Sequence, residues 1–227
     1  EFWVMLQGVS NESEYGGVRT STCTQYNIEK MTDIIGVDEA GRGPLAGPVS
    51  VGVVKIGPDF DMSFFEGIRD SKKLSEKGRK EWFAKAEEMR TAGQLNFTVE
   101  LFGADVIDKK GIVYAIKLGM SKCMKRLEVD DNAKIFLDGS LHAPIEYKNQ
   151  ETIIKGDEKI AVISLSSICA KVARDQYMTK LSEQYPEYKF EVHKGYGTKA
   201  HIEAIKKYGP SAVHRTSFLK NILNLDK

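Results

Sequence analysis

The chain has 227 residues, enough for one domain whose core needs no disulfide or metal staple. Lys+Arg of 33 against Asp+Glu of 32 leaves a net charge of +1, so bulk attraction to nucleic acid is excluded and any such surface must be a local patch. The three cysteines, Cys23, Cys123 and Cys169, are odd in number and form no CxxC pair, which speaks against a disulfide framework or zinc site and for a reducing, cytoplasmic setting. No apolar run approaches the ~18 to 20 residues a membrane-spanning helix requires, so no membrane contact is expected.

Residues 1–31 are rich in Ser, Thr, Asn and Gly without a sustained period, and read as an extension outside the fold. Ile34 to Val37 is a short apolar run that ends in Asp38, and a Gly/Pro-rich turn follows from Gly41 to Pro48. Val49 to Ile56 is β-branched, so two strands joined by a tight loop are expected as an antiparallel pair. Ser75 to Ala92 is helical, with Ser75 as N-cap and Trp82, Phe83, Ala86 and Met89 on one face. Leu95 to Phe102 alternates as a strand, and Gly111 to Leu127 is a second amphipathic helix. Ile135 to Leu137 makes a short buried strand that again ends in an acid, Asp138. Thr152 to Ile154 is a small strand closing on Gly156 and Asp157, a long helix follows from about Lys159 to Leu181, and a last helix spans Thr198 to Tyr208. Strands first, then strands alternating with helices, predict an α/β fold: one domain from residue 32 to 227, a mixed sheet covered by helices, with a short helical part at its C-terminal end.

The acids fall at strand ends. Asp38 and Glu39, Asp138 and Asp157 each follow a short apolar strand, which would place them along one edge of a sheet. Clustered carboxylates repel one another and are held together mainly by cations. Oxygen ligands of this kind suit Mg²⁺ or Mn²⁺, and two such ions form the clamp used for displacement at phosphorus. An Asp after a strand is also a common helix cap or turn residue, a reading that applies most directly to Asp157.

Between the first two strands, Gly41 and Gly43 let the main chain approach a ligand closely, and Arg42 adds a charged fork. The loop is neither a Walker A motif nor a Rossmann turn, because no Lys-Ser/Thr follows the glycines and a strand rather than a helix comes next.

DEAGRGPLAGPV (Asp38 to Val49) resembles the signature of the ribonuclease HII family. In the same order along the chain, DSKKLSEKGR (Asp70 to Arg79), FLDG (Phe136 to Gly139), KGDEK with SSICAKVARD (Lys155 to Asp175), and HKGYGTKAH with HRTSF (His193 to Phe218) are similar to further segments of that family. The Gly41–Arg42–Gly43 triplet sets the chain apart from the related HIII branch. The resemblance implies a ribonuclease H-like fold and an endonuclease that cuts RNA in RNA·DNA hybrids and 5′ of single ribonucleotides in duplex DNA, a repair role. It implies two divalent ions, Mg²⁺ or Mn²⁺, on Asp38, Glu39, Asp138 and Asp157, and products with 5′-phosphate and 3′-hydroxyl ends. It further implies that Gly41, Arg42 and Gly43 meet the ribose 2′-OH, that Tyr196 packs on the next deoxyribose, that Lys72 and Lys73 grip phosphate, and that the protein is a monomer. The competing readings are a ribonuclease H without junction preference and an RNA·DNA-binding module that has lost catalysis. All four acids are present, which disfavours the latter.

Overall fold

In the computed structural model, residues 32–68 and 73–223 are described. The expected extension over 1–31 and the predicted phosphate contact Lys72 lie outside them. Strand β1 (Ile34–Ala40) leads through the Gly/Pro turn into β2 (Val49–Ile56). Helix α1 (Glu76–Thr91) starts where Ser75 accepts a hydrogen bond from the Gly78 amide, as its capping pattern predicts. Then come β3 (Leu95–Phe102), α2 (Ala104–Lys110), α3 (Ile112–Arg126), β4 (Lys134–Asp138), β5 (Gln150–Ile153), the one-turn α4 (Gly156–Lys159) and the long α5 (Ala161–Gln184). The chain continues through α6 (Phe190–His193), α7 (Lys199–Tyr208) and α8 (Thr216–Leu223). The five strands form one mixed sheet in the order β3-β2-β1-β4-β5, flanked by helices, which is the predicted α/β class.

Helices α2, α4 and α6 have no counterpart in the sequence reading, and α8 falls in the expected C-terminal helical part, for which the sequence sets no bounds. Helix α2 is seven residues long, too short for a 3.6-residue period to declare itself, and Gly103 caps it without a side-chain hydrogen bond. Helix α8 is started from a distance. Asp108 Oδ2 accepts from the Thr216 amide and hydroxyl, and Asp108 Oδ1 accepts from the Ser217 amide at 3.0 Å and from its hydroxyl. Burial raises the Asp108 pKa, but these four bonds more than offset it and hold the carboxyl below its usual range.

Contacts gather the chain into two compact units. The first takes the described residues up to Asp38, with Val54–Phe97 and Val129–Ile168. Within it β4 pairs in parallel with β1 on one side and β5 on the other, in the register Val37↔Leu137 and Leu137↔Thr152. The first half of α5 lies directly on β1. A Cβ at Gly36 would stand 2.4 Å from the Val162 carbonyl oxygen, a distance only glycine permits. The second unit takes Glu39–Val53, Thr98–Glu128 and the described residues from Cys169 onward. There α3 packs on β2, with Gly119 set against Val51 and Phe102. Its other core joins Leu45 and Ala46 to Met178, Leu181, Tyr188, Phe190, Ile205 and Leu219.

Gly36→Ala is expected to lower unfolding free energy by about 2 to 3 kcal/mol, because the obstacle is helix backbone and cannot rotate aside. Urea denaturation followed by circular dichroism measures it.

Candidate active site

Parallel pairing sets the acids of the first unit. Successive parallel strands carry their C-terminal ends to the same edge of a sheet. Val37 lies opposite Leu137, and Asp138 lies opposite Ile153, so Asp38 and Asp138 follow matched positions on neighbouring strands. Asp157 stands in the first turn of α4, just beyond β5. Asp38 and Asp157 are buried, at 4% and 2% exposure. Asp138 Oδ1 accepts from the Gly156 amide at 2.6 Å and approaches the Asp157 amide at 3.4 Å, which ties the end of β4 to the start of α4. A Cβ at Gly156 would meet Ile163 Cδ1 at 2.6 Å, so a larger residue there would have to move that side chain. Ser164, buried on α5, donates to the Asp157 carbonyl at 2.5 Å. Ser164 thereby fixes the backbone of an acid. Lys73 Nζ lies 2.7 Å from Glu158 Oε2, an exposed ion pair beside Asp157 in sequence.

These residues suit a hard divalent ion in two respects. The acids offer oxygen ligands only. Two of them are buried, where a carboxylate needs cations or hydrogen bonds to offset its lost hydration. The side chains are not gathered into a finished ligand set: among the described residues no three His, Cys, Asp or Glu form one. Asp138 is turned instead onto the α4 amides.

The glycine loop belongs to the second unit, and two buried arginines hold it. Arg215 donates from Nε to the Gly47 carbonyl at 3.0 Å, from Nη1 to Arg42 at 3.0 Å and from Nη2 to Gly41 at 2.7 Å. Arg174 donates from Nε to Pro48 at 2.8 Å, from Nη2 to Ala46 at 3.3 Å and from Nη1 to Lys194 at 3.0 Å. Burial pushes the Arg215 guanidinium down to about 9, with the Arg174 charge adding to the shift, so it stays cationic at neutral pH. Leu45 and Gly47 donate from their amides to the Gly195 and Val213 carbonyls, and Arg215 donates back to the Leu45 carbonyl. The loop is thereby bonded along its length to the segments around Gly195 and His214.

The two glycines of the triplet are there for different reasons. Gly41 has φ +92°, and a Cβ on it would lie 2.1 Å from Arg174 Nε and 2.9 Å from the Pro48 carbonyl oxygen. It is a fold glycine. Gly43 is exposed, has no such φ, and a Cβ there would touch nothing within 4 Å. Arg42 Nε pairs with Glu39 Oε1 at 3.2 Å, and its side chain is 48% exposed. Tyr196 is 44% exposed with its ring 5.8 Å from the Arg174 guanidinium, so Arg174 touches both the loop's support and the tyrosine.

Three histidines brace Tyr196 from behind. Ser211 donates from its amide to His214 Nδ1 at 3.0 Å, so His214 carries its proton on Nε2 and gives it to His201 Nε2, 3.1 Å away. His201 must then be protonated on Nδ1, which donates to the Tyr196 carbonyl at 2.8 Å. His193 donates from Nε2 to the Tyr188 carbonyl at 2.7 Å, accepts from the Gly195 amide, and stacks on His201 at 4.3 Å between centroids. Each ring needs one bare nitrogen, so the relay requires neutral imidazoles. Burial above all pushes His201 and His214 down to about 4 and lowers His193 as well.

Asp175, beside Arg174 on α5, forms a local i,i+4 ion pair with Lys171 at 2.7 Å. Cys169 is core, and His214 and Arg215 brace the fold. Arg174 and the histidine relay were missed. A single Arg inside a helical Ala-Arg-Asp run reads as a solvated residue, and only its lack of a Glu partner four residues away could have hinted otherwise.

A family model described as Ribonuclease HII matches residues 35–221. The ribonuclease HII of Caldicellulosiruptor bescii is 45% identical over 192 residues, covering 85% of this chain and 89% of its own. Among solved structures, the ribonuclease H2 of Pyrococcus horikoshii OT3 superposes with a TM-score of 0.64 at 25% identity, covering 86% of this chain and 98% of its own. Bst-RNase HIII in complex with Mn²⁺ superposes with a TM-score of 0.63 at 15% identity over 92% of this chain and 79% of its own, a likeness of fold.

Gly41→Ala is expected to cost about 2 to 3 kcal/mol, whereas Gly43→Ala should stay within ~0.5 kcal/mol of the parent; paired denaturation curves check both. For the histidines, the folded-state values lie below the ordinary 6.5, so the unfolded chain takes up protons first as pH falls. Their contribution is complete above about 6.5 and is lost as pH drops toward about 4. The gap in melting temperature between the parent and His201→Asn should therefore narrow between pH 7 and pH 4.5.

Proposed function

The chain belongs to the ribonuclease HII family and is a ribonuclease H endonuclease; from that premise we propose that it cuts RNA in RNA·DNA hybrids and nicks duplex DNA 5′ of single embedded ribonucleotides. The single observation that carries the cutting function is the set of acids at the ends of adjacent parallel strands, Asp38 and Asp138, with Asp157 just past the third. In this reading Asp38, Glu39, Asp138 and Asp157 hold two divalent ions, Mg²⁺ or Mn²⁺. When bound, such ions supply the charge that activates water and offsets the charge developing on the departing 3′ oxygen.

The protein's own share is placement. The Gly156 amide and Ser164 hold Asp138 and the Asp157 backbone before any substrate arrives. Burial of Asp38 and Asp157 keeps competing water away from their carboxylates. Lys73, whose exposed pair with Glu158 is worth little, can exchange that partner for a substrate phosphate. No side-chain nucleophile is needed, so products carry 5′-phosphate and 3′-hydroxyl ends.

Junction reading falls to the second unit. Gly43, glycine without a demand from the fold, leaves room for a sugar–phosphate backbone to lie against the loop. Exposed Tyr196, backed by Arg174 and His201, offers a fixed ring face for a deoxyribose. A 2′-OH at that position would clash, while one at the loop would be welcomed. This favours an isolated ribonucleotide followed by DNA, and with it a repair role in the cytoplasm by a monomeric enzyme.

The test is a labelled DNA duplex with one ribonucleotide, incubated with Mg²⁺ beside an all-DNA control. The parent should nick once, 5′ of the ribonucleotide, and Asp138→Asn should leave no product above background. Tyr196→Ala should reduce cleavage of that duplex at least ~10-fold more than cleavage of a long hybrid. Cleavage of long hybrids alone would retain the acid assignment and overturn the roles given to Gly43 and Tyr196.

A further inference from the structure

Arg174 and Arg215 do more than fill the interior of the second unit. We propose that they are positioning residues for substrate recognition, aiming the Arg42 and Gly43 amides of the glycine loop outward as a pair of donors for an acceptor oxygen on the ribonucleotide. The inference rests on the junction reading above and adds to it the device that makes the loop a donor site.

In a trans peptide the carbonyl of one residue and the amide of the next point in opposite directions, and no cis bond occurs among the described residues. Arg215 Nη2 takes the Gly41 carbonyl at 2.7 Å and Nη1 takes the Arg42 carbonyl at 3.0 Å. With both carbonyls drawn inward to one guanidinium, the Arg42 and Gly43 amides must face away from it. Neither donates a hydrogen bond among the described residues, and both residues are exposed. Elsewhere in the loop the same rule serves the fold: the Ala46 carbonyl turns to Arg174, and the Gly47 amide beyond it donates to Val213. The loop thus spends its inner groups on the two arginines and keeps two amides for its outer face.

Only guanidinium fits this task. It has five donors in a rigid plane, so one side chain fixes three carbonyls at once, where an ammonium would sit as a mobile point charge. Arg174 extends the arrangement to the tyrosine. Its Nη1 holds the Lys194 carbonyl and its plane lies near the Tyr196 ring, so loop and ring are set by one side chain. The two buried positive charges also make the face above them favourable to an oxygen acceptor. Gly41 completes the design, since any Cβ there would displace Arg174 Nε.

The full-length protein tests this in two ways. With Ca²⁺ in place of Mg²⁺ to hold back cleavage, the ¹⁵N-labelled parent is titrated with a duplex carrying one ribonucleotide and with its all-DNA counterpart. The Arg42 and Gly43 amide protons should move downfield with the former and not with the latter. In parallel, Arg215→Lys and Arg174→Lys are assayed with Mg²⁺ after circular dichroism confirms folding. KM for the single-ribonucleotide duplex should rise ~10- to 100-fold, a larger change than the fall in kcat on the same duplex. Folded Lys variants that keep the parent's KM overturn the inference and leave the junction reading in place. If the variants do not fold, the parent's amide shifts decide: movement supports the inference, and still amides overturn it. A parent that does not distinguish the two duplexes in binding or cleavage overturns the junction reading, and this inference with it.

Discussion

Six backbone carbonyls converge on two buried guanidinium groups, Arg174 from the long helix and Arg215 from the start of the last one. A buried cation is costly unless its donors are satisfied, and here the satisfaction comes from main-chain dipoles. This choice of partner has a consequence that a salt bridge would lack. A carboxylate would neutralise the charge and leave the loop to itself, whereas carbonyl partners tie the loop's conformation to the arginines. The positive φ of Gly41, the pairing of the loop with residues 213–215 and the seating of Gly195 against Ala46 all fit one arrangement.

The acids depend on a different constraint, parallel pairing. Because β1, β4 and β5 run the same way, their ends deliver Asp38, Asp138 and the approach to Asp157 together. The helix that follows then fastens what the strands deliver, through the Gly156 amide and Ser164. Two separate supports result: paired strand ends hold the acids, and two buried arginines hold the glycine loop. Asp38 and Glu39 are consecutive in β1, so one strand supplies acids to both compact units.

Legibility in the sequence followed how local each signal was. The spans Val49–Ile56 and Leu95–Phe102 are the observed strands, and Ser75 caps α1 as its pattern requires, because periodicity and capping act within a few residues. Helix α8 was missed in detail because Asp108, 108 residues earlier, starts it. The acids and the glycine loop were legible as residue types at element ends. The arginine clamp was not, since Arg174 meets Pro48 across 126 positions and Arg215 meets Gly41 across 174.

The sequence alone determined the chemistry on offer: oxygen ligands after short apolar strands, a glycine turn of the ribonuclease HII pattern, and the fold class that its periods imply. Those are properties of residue type and near neighbours. Tertiary structure decided how the offer is arranged. It made Gly41 a packing requirement and Gly43 an open position, turned Asp138 onto the α4 amides, and converted three histidines into a neutral relay behind Tyr196. The physical reason is the same in each case. A side chain's role is set by the atoms it meets, and here those atoms come from segments far away along the chain.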